Sequence, residues 1–101
     1  MTASWVCRKI ADLETGSVHA WETAEGLTGN ILVDPVESVA RPCTPEGIPL
    51  GETRLDRSAG TVENPDPDQE LRHVFLIIAS LIFLETERQG RPPDRITRTY
   101  W

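Results

Sequence analysis

The chain is 101 residues long, with 39% hydrophobic and 26% charged positions and fifteen glycines and prolines together. That suits one small globular domain with long connections; it is too apolar for a disordered chain and too proline-rich for a helical bundle. Sixteen acidic against ten basic side chains leave a net charge of −6, which argues against binding nucleic acid through a simple basic patch.

The N-terminal part reads as short strands. Trp5–Ile10 is rich in strand-favouring residues, and Glu14-Thr15-Gly16-Ser17 supplies a turn. Ser17–Thr23 alternates, Ala24-Glu25-Gly26 offers a second turn, and 30–39 is a third strand led by Ile31-Leu32-Val33. Pro35 inside that run cannot donate to a ladder, so the strand kinks there, ends there or lies at an edge. The short connections between these runs predict an antiparallel meander over 1–40.

The stretch 41–66, with prolines at 42, 45 and 49 and glycines at 47 and 51, excludes a regular helix or a central strand. Thr53-Arg54-Leu55 and Thr61-Val62 are candidates for short pairings, and a connection this long either carries function or covers a sheet edge.

A helix is expected over 67–89. Asp66 stands as N-cap, Pro67 in the first helical position and Gln69 in the capping-box position, and Gly90 followed by Pro92-Pro93 ends it. Arg95–Trp101 alternates arginine with β-branched and aromatic residues, which predicts a final strand. The expected fold class is therefore α+β: an antiparallel sheet of about three to five short strands packed on one long apolar helix near the C-terminus, followed by a short strand.

The helix carries the functional argument. From Val74 to Leu84 ten of eleven residues are apolar, too short a run to cross a bilayer. A main face of Leu71, Val74, Phe75, Ile78, Leu81 and Ile82 would meet the sheet. Leu76, Ala79 and Phe83 then line one flank, Ile77 and Leu84 the other, and His73, Ser80 and Glu87 form a thin polar seam. A small sheet shields one face of a helix. Leaving Leu76, Ile77, Phe83 and Leu84 in water would forfeit roughly 6–12 kcal/mol, comparable with the stability of a small domain. A curled sheet, the 41–66 connection or a second protein must cover them. The expectation is a homodimer or one tight protein partner, meeting the chain at His73, Leu76, Ile77, Ala79, Ser80, Phe83 and Leu84, with Ala79 and Ser80 small enough for close approach. His73 at such a contact would make association sensitive to mild acid.

Charge is polarised: residues 1–70 sum to −8, and residues 71–101 to +2. The acidic part suits a basic client, as immunity-type or adaptor proteins have. A contrasting reading places nucleic-acid contact on a tail of Arg95, Arg98, Tyr100 and Trp101, against an acidic background that repels phosphate. A third is a small enzyme using His19 or His73 with carboxylates in a cleft beside the 41–66 connection. No glycine loop for phosphates, nucleophile motif or paired metal-ligand spacing accompanies these residues, so no cofactor, metal or catalytic residue is assigned. Cys7 and Cys43 do not make a disulfide framework, and Met1 is followed by no apolar leader, so a cytoplasmic setting is expected. Nine arginines to one lysine hint at a GC-rich, bacterial coding sequence.

Overall fold

The computed structural model describes residues 4–98. The fold is α+β, one helix with a seven-stranded antiparallel sheet. β1 (Trp5–Leu13), β2 (Gly16–Thr23), β3 (Thr28–Asp34), β4 (Val39–Pro42), β5 (Arg54–Asp56) and β6 (Thr61–Glu63) follow one another as a meander. The helix α1 (Gln69–Gln89) then carries the chain from the β6 edge to the opposite edge, where β7 (Arg95–Arg98) pairs antiparallel with β1. Crossing seven strands at about 4.8 Å spacing takes about 29 Å, and a helix of 21 residues at 1.5 Å each reaches about 31 Å. The helix is thus as long as the sheet is wide.

The expected meander of three to five strands is corrected to six, and the final strand β7 makes the sheet seven-stranded. The third predicted strand is two, because Pro35 ends β3 and the chain reverses. The Asp34 carboxylate accepts the N–H groups of Val36 at 3.0 Å and Glu37 at 3.1 Å, and Ser38 takes φ 57 to close the turn into β4. β5 and β6 lie inside the long connection and pair in register, Leu55 opposite Val62.

The helix start also moves. Asp68 is the N-cap, its carboxylate accepting the N–H groups of Glu70 at 3.0 Å and Leu71 at 3.2 Å. Asp66 instead accepts the Asp68 N–H at 2.8 Å, so one carboxylate turns the chain and the next caps the helix. At the other end Gly90 adopts φ 78 and donates its N–H to the Thr86 carbonyl at 2.8 Å, the left-handed cap expected there.

Cross-strand register sets the core. Trp5 and Cys7 of β1, His19 and Trp21 of β2, Ile31 and Val33 of β3, Ala40 of β4 and Leu55 of β5 share the face turned to α1. From the helix they receive Val74, Phe75, Ile78, Ala79, Ile82 and Phe83, all buried. Two glycines fit this packing tightly. A Cβ on Gly29 would come 2.5 Å from the Trp21 ring, which lies over β3 there. Gly47 adopts φ +89 in a turn folded back on the outer face, where a Cβ would lie 2.9 Å from Leu13 and 3.2 Å from Val18. That turn helps bury Val18, an outward-facing residue of β2.

The two sides of the helix should respond differently to truncation. Ile78→Ala, deep under the sheet, is expected to cost about 2–5 kcal/mol, and Leu84→Ala about 0.5 kcal/mol or less in dilute solution. Urea unfolding at micromolar protein concentration checks the contrast.

Candidate functional site: the outer helix face and the cleft at the helix start

The sheet takes a different stripe of α1 from the one expected. Ala79 and Phe83, assigned by sequence to a partner surface, are buried in the protomer's own core. The small Ala79 lets the helix settle onto the sheet, and Phe83 lies beneath the Arg57 guanidinium, 5.4 Å from its ring centre. Arg57 is held in turn by Glu87 at 2.7 Å. Leu71 and Leu81, expected on the main buried face, are half-buried at its margins.

What stays outside is a narrower strip than the sequence suggested. Leu76 and Ile77 are half-buried, while His73, Ser80 and Leu84 are exposed, Leu84 at 51%. Positions 73, 77, 80, 84 and 87 alternate steps of four and three, so His73, Ile77, Ser80, Leu84 and Glu87 form one seam along the helix. Beside it a shallow depression of about 290 Å³ is lined by Leu55, Arg57, Gly60, Ser80, Phe83 and Leu84.

A larger cleft of about 630 Å³ opens where the helix begins, bounded by β3, the 43–53 connection, the chain leading into α1 and the first helical turns. Trp21, Leu50, Val62, Leu71 and Phe75 give it an apolar wall, and Asn30, Glu52, Asp66 and Arg72 stand among its polar groups. The cleft beside the long connection is therefore present, but the histidines proposed for it are elsewhere. His19 and His73 line neither of these two hollows.

His19 is 1% exposed and shares a 2.8 Å hydrogen bond between its Nε2 and the Ser17 Oγ. Burial, with the nearby Lys9 charge, pushes its pKa down to about 4. Lys9 is tied to Asp12 at 3.1 Å and to Asp94 at 3.5 Å, which closes β1 against the segment entering β7. A neutral, sealed imidazole of this kind is a part of the core. Both cysteines are free thiols in buried positions; burial raises Cys7 to about 12 and Cys43 to about 11, so both are poor nucleophiles. Among the described residues no three of the His, Cys, Asp and Glu side chains gather as a metal-holding group, and no helix is long and apolar enough to cross a membrane.

The tail residues separate. Arg95 begins β7 opposite Arg8, and Arg98 pairs along the backbone with Trp5. Tyr100 and Trp101 lie outside the described residues. Sequence reasoning missed Trp21, Val62 and Arg72 as neighbours, because the meander and the helix start bring them together from distant parts of the chain. The proline- and glycine-rich composition of 41–66 was the available signal for the cleft.

No family model, curated protein or solved structure matches this chain.

The buried imidazole gives a pH signature. The unfolded chain protonates His19 near 6.5 whereas the fold keeps it neutral to about 4, so its contribution is full above 6.5 and is lost as pH falls towards 4. A loss of about 3 kcal/mol is expected across that window. Urea unfolding of the native chain and of His19→Gln at pH 7 and pH 4.5 checks it, the variant showing the smaller decline.

Proposed function

We propose that this chain is a small protein-binding module that pairs with a second copy of itself through the outer face of α1. The supporting observation is the seam of His73, Ile77, Ser80 and Leu84, flanked by Leu76 and Leu81, on the side of the helix away from its own sheet. Two copies laid antiparallel about Ser80 bring His73 opposite the partner's Glu87 and Ile77 within one residue's rise of the partner's Leu84. The small Ser80 at the centre lets the backbones approach.

Charge favours the same arrangement. Glu70 and Arg88 stand on one flank of the helix at its two ends, so an antiparallel pair sets each beside the other's counterpart twice. A symmetric dimer uses one patch against itself, which a seam centred on one residue permits. Leu84 is half-exposed, and covering the remainder is worth about 1 kcal/mol per copy, repeated by symmetry. The acidic surface of the meander remains free in such a pair for a basic client, the adaptor or immunity-type role. Two buried free thiols suit a reducing, cytoplasmic setting.

The enzyme reading has less support, because His19 is sealed and His73 sits on the helix seam away from the cleft.

Sedimentation equilibrium tests the pairing. At about 100 µM the native chain is expected at twice its 11.3 kDa mass, and Leu84→Glu at the single-chain mass with unchanged circular dichroism. A native chain that remains single over the whole range overturns the reading, as does a Leu84→Glu chain that stays paired.

A further inference from the structure

The cleft at the helix start is separate from the outer seam and has its own chemistry. We propose that it binds a small amphipathic carboxylate: an aromatic or branched apolar body lying against Trp21 and Phe75, with its acid group on the Arg72 guanidinium. A hollow of about 630 Å³ lies in the size range that encloses small ligands, which is about 300–1,000 Å³. Its wall is built mainly from apolar side chains of four different elements or connections, and the Trp21 ring is held flat over β3 because Gly29 has no side chain.

Arg72 identifies the head group. It is half-buried at the cleft, and its guanidinium has no hydrogen-bond or ion-pair partner among the described residues. Arg57, the arginine that lies against α1 at Phe83, is engaged with Glu87 at 2.7 Å. A guanidinium partly withdrawn from water with its donors unused is matched by a planar carboxylate, which accepts two parallel N–H bonds. The acidic groups at the same cleft are placed differently. Asp66 already accepts the Asp68 N–H at 2.8 Å, and Glu52 is exposed whereas Arg72 is half-buried. Arg72 is the cationic side chain among the residues that line the cleft.

Calorimetric titration of the full chain with 2-naphthoate, 2-naphthamide and 2-naphthylmethylamine tests this. The acid is expected to bind at least about tenfold more tightly than the amide or the amine. Arg72→Gln is expected to reduce naphthoate to the level of the amide, while Arg72→Lys keeps part of the preference and Arg88→Gln, outside the cleft, keeps all of it. The proposal is overturned by the absence of naphthoate binding, by equal binding of the three probes, or by preference for the amine at Glu52 and Asp66. Retention of the acid preference in Arg72→Gln overturns it as well. Repeating the titration on Leu84→Glu separates this site from self-association, since the expected preference is the same whether or not the chain pairs.

Discussion

The fold depends on one contact: the face of α1 carrying Val74, Phe75, Ile78, Ala79, Ile82 and Phe83 against the inner face of the sheet. A meander alone would leave two open edges and one apolar face in water. The helix covers that face and, because its length matches the width of the sheet, returns the chain to the far edge where β7 closes on β1. The strand order follows from this: β1 to β6 are neighbours joined by turns and the 43–53 connection, and the crossing from one edge of the sheet to the other is made by the helix.

The same contact explains where binding surface remains. A sheet can meet one side of a cylinder, and here seven strands reach around far enough to half-cover Leu76, Ile77 and Leu81 as well. The surplus is a thin apolar line on the helix and a hollow at its start, bounded by the sheet, the long connection and the first helical turns. The two features lie on different sides of the helix, and the occupants proposed for them differ accordingly, a second copy's helix and a small acid.

Much of this architecture was legible in the residues. The hydrophobic run, the capping carboxylates, Gly90 and the two prolines after it define the helix, and the turn residues define the first strands. β5 and β6 were legible only as candidate pairings at Thr53-Arg54-Leu55 and Thr61-Val62, since with three residues each they are strands through their pairing with neighbours, and β4 was hidden at the end of the third predicted run. The buried stripe of the helix was displaced for a related reason. Periodicity puts Leu71 and Leu81 on the main face and Ala79 and Phe83 on a flank, but close approach to a sheet favours a small residue at the contact. Arg57, distant in sequence, covers Phe83. His19 illustrates the limit for titratable groups: in the sequence it is one histidine among carboxylates, whereas register places it beneath the helix beside Ser17.

The claim on which the account turns is that α1 has two apolar sides, one satisfied by its own sheet and one by a second copy. Isotope-filtered NOE spectroscopy on a mixture of labelled and unlabelled chains addresses both sides at once. Contacts between chains are expected at Ile77, Leu81 and Leu84, and within one chain only at Ile78 and Ile82. Intermolecular contacts at Ile78 or Ile82, or none at the outer positions at millimolar concentration, would contradict the account.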